Sequence, residues 1–167
     1  MPTDPERIVK LTTGPVFTWW VKHIASRLDP VIFKATNGRL TSMGPPAMPM
    51  LTLTTVGRKS GKPHAVHLAC LERDGDYLVV ASAMGQQKHP AWRYNVEENP
   101  DVAIQMRGER FAARARLLTD AEKAAVWGDV RRAIPQIGVY EQRTERNIRV
   151  FRLSRARGAP PPTTRET

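Results

Sequence analysis

A turn rich in cations and glycine lies within the segment TTVGRKSGKPH, at residues 54–64. We call residues 57–62 the basic turn: Arg58 and Lys59 supply positive charge and Ser60 supplies a hydroxyl group. With the backbone N–H groups of a tight turn, these side chains form charge-assisted hydrogen bonds with phosphate. The spacing is not that of a Walker loop, which has four residues between its first glycine and the Gly-Lys pair. By itself, the segment fits a polar hairpin turn as well as an anion site.

A second segment, VVASAMGQQKHPAW at 79–92, leaves a predicted strand through small residues and enters a short helix. We call residues 81–85 the shelf: Ala81, Ser82, Ala83 and Gly85 have side chains small enough for a flat ring to lie against the backbone. Trp92 in the first turn of the helix shares a face with Asn95. An aromatic wall and an amide beside the shelf favour a tricyclic heteroaromatic ligand. The alternative is an ordinary strand-to-helix connection with a core tryptophan.

Other chemistries have little support from the residue types and their spacing. His64 and His67 lie three apart in a predicted strand, so their side chains point to opposite faces and form a poor metal-chelating pair. Cys70 is the single cysteine, shares a strand face with apolar residues and is expected in the core. Ser82 lacks the G-x-S-x-G context of a hydrolase nucleophile. We therefore expect no metal site and no hydrolytic site.

The overall composition narrows the class of partner. The chain has 167 residues, a size that fits one domain, and carries a formal net charge of +10. Such a surface attracts anionic nucleic acid, acidic membranes, or phosphorylated and carboxylated small molecules. No helix-turn-helix, zinc-finger or RNP-like pattern is present, so nucleic acid is not expected. Without a signal peptide or an apolar run long enough for a membrane span, we expect a cytoplasmic protein.

The hydrophobic periodicity changes from helical to alternating along the chain. It predicts an amphipathic helix from Pro15 to Thr36 that is interrupted near Asp29-Pro30, strands at 50–55, 64–72 and 76–82, and a short helix at 89–100. Strands at 101–107 and 110–118, a helix capped by Thr119 and Glu122, and a last strand at 147–154 follow. Ala124, Trp127, Val130 and Ile134 form the predicted inner stripe of the capped helix.

Mostly hairpin-connected strands with helices inserted between them predict an α+β protein around a small antiparallel β-barrel. We assign residues 1–36 to an N-terminal tail and amphipathic helix, 37–155 to the barrel domain, and 156–167 to a disordered Pro/Arg-rich tail. One face of the strand at 110–118 is rich in arginine, which indicates either solvation or a basic groove.

The segments LTTVGRKSGKPH and ERDGDYLVVASAMGQQKHPAWRYNVEENPDVAIQ together resemble the deazaflavin-dependent nitroreductase family of split β-barrel oxidoreductases. The resemblance extends from about Leu51 to Phe151. The combination of G-R-K-[ST]-G, A-S-x-x-G, K-x-P-x-W-x-x-N and N-P-x-V is specific, although no single motif is. The resemblance implies a split β-barrel that binds coenzyme F420, an 8-hydroxy-5-deazaflavin with an anionic phosphodiester and glutamate tail.

The resemblance also implies cofactor-binding residues along most of this site. The basic turn would hold the phosphate, the strand after it would follow the tail and ring, and the shelf would meet the deazaflavin. The implied set is Arg58, Lys59, Ser60, His64, Ala65, Val66, His67, Leu68, Ala69, Val80, Ala81, Ser82, Ala83, Lys88, Ala91, Trp92, Asn95 and Ile137. Lys62 is a further cation that would attract the tail.

The sequence departs from the nitroreducing members in the segment AIPQIGVY, where those proteins carry tyrosines. Here the matching positions hold Ile134, Ile137 and Tyr140, so Tyr140 is the one phenol left as a candidate proton donor. Tyr140 and Ser82 are the candidate catalytic residues. An apolar lid of the two isoleucines would favour a lipophilic acceptor such as a quinone over a nitro-drug.

The resemblance therefore predicts hydride transfer from reduced F420 to a quinone, an activated enone or a nitro-aromatic compound. A non-enzymatic F420 carrier and an FMN-binding split-barrel oxidoreductase are the alternatives. Trp19, Trp20 and Lys22 suggest an interfacial helix that would bring the protein to a membrane and a menaquinone-like lipid. Packing of the same helix over the barrel is equally consistent with the sequence.

Overall fold

The computed structural model describes residues 48–156 and, before them, the helical positions Leu28, Val31, Ile32 and Ala35. The rest of the predicted N-terminal helix, with its interruption and its tryptophans, lies outside the described residues. So do most of the Gly/Pro-rich loop before Met48 and residues 157–167 of the predicted tail. Among the described residues, no helix is long and apolar enough to cross a membrane.

Six antiparallel strands close into a barrel in the order β1-β2-β3-β6-β5-β4, with β4 paired back to β1. The predicted α+β barrel is confirmed. The strands are β1 Met50–Val56, β2 Pro63–Arg73, β3 Asp76–Val80, β4 Asp101–Met106, β5 Glu109–Leu117 and β6 Val150–Arg155.

The barrel interior is filled by alternating apolar side chains that all six strands contribute. Leu53 of β1, Ile104 of β4 and Leu153 of β6 have no exposed surface there, and Phe151 fills the centre beside them. Cys70 lies in the same cluster, as predicted, and burial raises the pKa of its thiol to about 12. A thiol that stays protonated at neutral pH is a poor nucleophile, so Cys70 is a core residue.

Two short hairpins connect β2 to β3 and β4 to β5. Each has two consecutive residues with positive φ, Asp74-Gly75 in the first and Arg107-Gly108 in the second. This is the conformation that matches the right-handed twist of paired strands. The second turn lies one residue before the predicted Gly108-Glu109, because Glu109 already belongs to β5.

Within residues 48–156, three α-helices pack outside the barrel: α1 Ala91–Glu98, α2 Asp120–Ala133 and α3 Ile137–Gln142. The predicted capping box of α2 is confirmed, with Thr119 Oγ1 accepting from the Glu122 backbone N–H and the Glu122 carboxylate accepting from that of Thr119. The predicted inner stripe is wrong at one position, since Ala124 is exposed and Val126 is buried in its place.

A second apolar cluster lies between the helices and the outer face of β3 and β6. It contains Leu78, Val80 and Val150 from the strands, with Val130 and Ile137 from the helices. Both faces of β3 are therefore covered, which explains why its sequence DYLVV is a continuous apolar run after Tyr77.

Strand limits differ from the predicted ones mainly around the shelf. β3 ends at Val80 instead of Ser82, and a 3-10 helix at Ala83–Gly85 follows. β6 begins at Val150, three residues later than predicted, and α3 was not predicted. The arginine face of β5 is exposed on the outside of the barrel, where Arg114 pairs with Asp101.

Candidate functional site

The basic turn joins β1 to β2 and is closed by its own backbone. The Gly57 N–H donates to the Lys62 carbonyl, and the Gly61 N–H donates to the Gly57 carbonyl, both at 2.7 Å. Ser60 Oγ lies 3.2 Å from His64 Nε2 and accepts from the Lys62 N–H. A Cβ at Gly57 would lie 2.5 Å from Ser60 Oγ, so a larger residue here would force the side chains of Ser60 and His64 to move. The turn is thus a preformed cradle that exposes its hydroxyl group and cations.

Asn95 fixes the position of this turn relative to α1. Its Oδ1 accepts from the Arg58 backbone N–H at 3.1 Å, and its Nδ2 donates to Thr55 Oγ1 at 3.1 Å. Thr55 Oγ1 donates in turn to the His64 carbonyl at 3.4 Å. A buried amide at the helix therefore orients both ends of the basic turn.

A cavity of about 600 Å³ opens between the basic turn, the first half of β2 and the start of α1. Trp92 forms a buried part of its wall and packs against Phe151 of the core, with ring centroids 5.5 Å apart. The lining residues are Gly57, Arg58, Lys59, Ser60, His64, Ala65, Val66, Pro90, Ala91, Trp92, Tyr94 and Asn95.

The cations of the basic turn differ from most arginines on this surface. Arg73, Arg116 and Arg131, for example, pair with carboxylates at 2.5–2.8 Å. Within the described part of the chain, Arg58 and Lys59 form no ion pair and are exposed beside the cavity. Their positive charge is available to an anionic ligand.

Tyr94 was not predicted as a site residue, yet it lines the cavity. Arg58 and Arg93 each lie over its ring, with their Cζ atoms 5.2 and 4.9 Å from the ring centroid. Its proximity to Arg58 results from the packing of α1 against the basic turn, which no local pattern in the sequence reveals. The ring extends the aromatic wall and supports Arg58 at the cavity edge.

The shelf lies after β3 and has an unusual backbone. Ala83, Met84 and Gly85 have φ values of 47°, 55° and 77° in succession. The guanidinium group of Arg146 donates to the carbonyls of Ala81, Ser82 and Gln86 at 3.1, 2.5 and 2.8 Å. Arg146 was not predicted, since it is remote in sequence from the shelf.

Tyr140 lies on α3 and packs against the second apolar cluster. Burial raises the pKa of its phenol, so the group holds its proton at neutral pH. A Cβ added at Gly85 would lie 2.9 Å from the Tyr140 carbonyl, which places α3 directly against the shelf. Ser82, the other candidate catalytic residue, is half-buried at the start of the shelf.

The predicted site residues divide into two groups. The cavity brings together residues 57–60 of the basic turn with His64, Ala65, Val66, Ala91, Trp92 and Asn95. The lining does not include His67, Leu68, Ala69, Val80–Ala83, Lys88 or Ile137. Ile134 and Ile137 are 6% and 1% exposed and belong to the second apolar cluster, so here they contribute to the core and not to an open lid.

His64 and His67 form side-chain contacts in two separate places. His67 Nδ1 lies 3.0 Å from Thr52 Oγ1, while His64 contacts Ser60 of the basic turn. Among the described residues, no group of three or more His, Cys, Asp or Glu side chains is arranged to hold a metal ion.

The residues present fit a long anionic cofactor with a planar ring. The basic turn offers a hydroxyl group and two cations that form no ion pair with another described residue, and the lack of a Cβ at Gly57 leaves room for the side chains of Ser60 and His64. The cavity beside it has an aromatic and aliphatic wall. The combination suits a ligand with a phosphate at one end and a flat, apolar-faced ring at the other.

Comparisons with known proteins agree with this geometry. The family model described as F420H(2)-dependent quinone reductase matches residues 25–154. The F420H(2)-dependent quinone reductase Rv1261c of Mycobacterium tuberculosis (strain ATCC 25618 / H37Rv) is 36% identical over 144 residues, covering 82% of this chain and 96% of that protein.

Solved structures show the same fold. A structure described as an F420-H2 dependent reductase (FDR-A) is 37% identical with a TM-score of 0.59, covering 64% of this chain and 94% of that chain. A second, described as a domain-swapped dimer, is 32% identical with a TM-score of 0.61, covering 82% of this chain and 98% of that chain.

The fold and the comparisons thus define a split-barrel oxidoreductase that uses a deazaflavin. The chain belongs to the F420H(2)-dependent quinone reductase family, with coenzyme F420 as its cofactor. The predicted deazaflavin-dependent class is confirmed, and the family description implies a quinone-type electron acceptor.

Proposed function

We propose that this enzyme transfers a hydride from reduced F420 to a lipophilic, menaquinone-like quinone, with the basic turn holding the cofactor's phosphate and the shelf its ring. The observation that carries this proposal is a pair of cations, Arg58 and Lys59, that form no ion pair with a described residue and lie at the edge of a cavity walled by Trp92. Family membership supports F420 over FMN and supports an enzyme over a carrier.

The cofactor, when bound, supplies the hydride chemistry, and the protein supplies orientation and a dry surface. Lys59 and Arg58 attract the phosphate, and the Ser60 hydroxyl group, which the contact with His64 orients, donates to it. Asn95 keeps the turn in register with α1. Trp92 excludes water from one side of the cavity.

Tyr140 is our candidate for the proton donor to the reduced acceptor. Burial raises the pKa of its phenol, so it remains protonated over the physiological range. Its position on α3, which packs against the shelf, supports this role. Ser82 is a second hydroxyl group at the shelf and the alternative donor.

Titration of the purified protein with reduced F420, followed by fluorescence, tests the cofactor assignment. We expect Lys59→Ala to weaken binding by about tenfold, because one charge-assisted contact to phosphate is lost. Lys123→Ala is the matched control, since it removes the same charge from α2, away from the basic turn. Equal losses in the two variants would contradict the proposed role of the turn.

A screen of acceptors tests the second half of the proposal. We expect menaquinone analogues to be reduced faster than activated enones or nitro-aromatic compounds of similar potential. Faster reduction of the nitro-aromatic compounds would assign the enzyme to nitro chemistry instead.

Binding of the full chain to acidic lipid vesicles, measured by sedimentation, tests the further proposal that its N-terminal residues bring it to a membrane.

A further inference from the structure

The guanidinium group of Arg146 contacts four acceptors from the segment between β3 and α1. Nη1 donates to the Ala81 carbonyl, Nη2 to that of Ser82 and Nε to that of Gln86. Nη1 also lies 3.0 Å from His89 Nδ1. Because arginine has only donors, His89 Nδ1 accepts this bond and its ring carries its proton on Nε2.

The conformation that these bonds hold is intrinsically unfavourable. Ala83 and Met84 are consecutive non-glycine residues with left-handed backbone angles, followed by Gly85. Such a residue is strained and persists only where the surrounding structure holds it in place. Arg146 donates to carbonyls on both sides of the strained residues, so its hydrogen bonds hold the two ends of the strained segment.

The segment that carries Arg146 makes further contacts with the same region. The Gln87 side-chain amide donates to the Arg143 carbonyl at 3.2 Å, and Thr144 Oγ1 donates to Gln87 Oε1 at 3.1 Å. The Ala81 N–H donates to the Arg149 carbonyl at 2.9 Å. The chain between α3 and β6 is thus a frame for the shelf, with Arg146 at its centre.

We propose that Arg146 is a positioning residue for cofactor binding: it holds the shelf in the left-handed conformation that receives the ring, and leaves its own positive charge behind that surface. This inference rests on the proposed function, in which the shelf meets the deazaflavin. In the described structure no carboxylate pairs with Arg146, so its charge acts on whatever lies on the shelf. A lysine can replace it only in part, since one ammonium group lacks the planar fork that reaches three carbonyls.

The first test measures the ligand-free protein by hydrogen–deuterium exchange. We expect Arg146→Met to raise amide exchange in residues 81–89 by about tenfold, while the paired strands β1 and β4 keep their protection. Arg116→Met is the matched control, because it removes a bidentate arginine pair with Glu122 that has no contact with the shelf. Unchanged exchange at 81–89 in Arg146→Met would overturn the proposal.

The second test separates the two ends of the cofactor site. The probes are F420 and an 8-hydroxy-5-deazaflavin that carries only its ribityl chain and no phosphate. We expect Arg146→Met to weaken both by about tenfold and to shift the absorption maximum of the bound ring, while Lys59→Ala weakens F420 alone. Arg146→Lys should recover only part of the affinity. Thermal unfolding of each variant checks that it is folded.

The outcomes distinguish the inference from the function on which it rests. If F420 does not bind the unmodified protein, the proposed function fails. If F420 binds that protein and Arg146→Met equally well with the same spectrum, the inference fails and the function stands. If Lys59→Ala no longer weakens F420 binding in a chain that also carries Arg146→Met, that substitution has disturbed the whole site, and a specific positioning role is contradicted.

Discussion

The side chain of Asn95 joins α1 to the basic turn through two hydrogen bonds, one to the Arg58 N–H and one from its own amide to Thr55. The sequence indicates Asn95 only as a neighbour of Trp92 on one helix face. In the structure its amide is buried and turned toward the protein. Its established contacts are therefore those that shape the turn, and a direct contact with cofactor remains a prediction.

We predict that Asn95→Ala lowers the free energy of unfolding by ~2 kcal/mol, because a buried N–H and hydroxyl group lose their partners. F420 affinity should fall as well, since the turn is no longer fixed to α1. Denaturant unfolding and cofactor titration measure the two effects. Asn99→Ala is the control, as it removes an exposed side-chain acceptor from the same segment. Equal effects in both variants would contradict a special role for Asn95.

The helix α2 illustrates what a local sequence pattern specifies. Its capping box was predicted from Thr119 and Glu122, which are near neighbours and need no tertiary contact. Arg116 of β5 adds a bidentate pair to the same carboxylate. These hydrogen bonds, that from Arg116 first, lower the pKa of Glu122 to about 2 from its ordinary value of 4.5.

The depressed pKa sets the direction of a pH effect. Glu122 contributes stability above pH 4.5, and this contribution is lost as the pH falls toward 2, because the unfolded chain binds the proton more readily. We predict that Glu122→Gln flattens this acid limb of the stability curve, measured as thermal midpoints between pH 6 and about 2. Glu98→Gln, which removes an exposed carboxylate, should leave the slope unchanged. A wild-type slope in Glu122→Gln would refute the assignment.

The conformation of the shelf, unlike the cap of α2, could not be predicted from its local sequence. Its small residues were recognised in the sequence, but its left-handed backbone and the early end of β3 were not. Ala and Met have no local preference for positive φ, so no propensity predicts it. Arg146 and α3, which come from about 60 residues later, impose the conformation.

At the scale of the whole molecule, two apolar clusters share β3 and β6. Leu53 lies inside the barrel, and Leu78 lies on the outer face of β3 beneath the helices. Neighbouring residues of β3 face opposite clusters, so the helices and the barrel are expected to unfold together. The proposed site would span both, since the cavity lies at the barrel and the shelf adjoins α3.

We predict that Leu53→Ala and Leu78→Ala each lower the free energy of unfolding by ~3 kcal/mol, because each leaves a cavity in a fully packed cluster. Both variants should keep one cooperative transition when circular dichroism and tryptophan fluorescence are compared. Val31→Ala, at a position 65% exposed, is the control. Separate transitions for the two probes would show that the outer cluster folds independently of the barrel.

The sequence by itself determined the barrel strands, the capped helix, the core position of Cys70 and the motifs that indicate the F420-dependent family, because each depends on periodicity or on residues close in the chain. Only the tertiary structure brought Tyr94 to Arg58, turned Asn95 toward the basic turn and buried Ile134 and Ile137 in the second cluster. It also placed Arg146 behind the shelf. These contacts join distant segments, and side-chain packing between whole elements decides them.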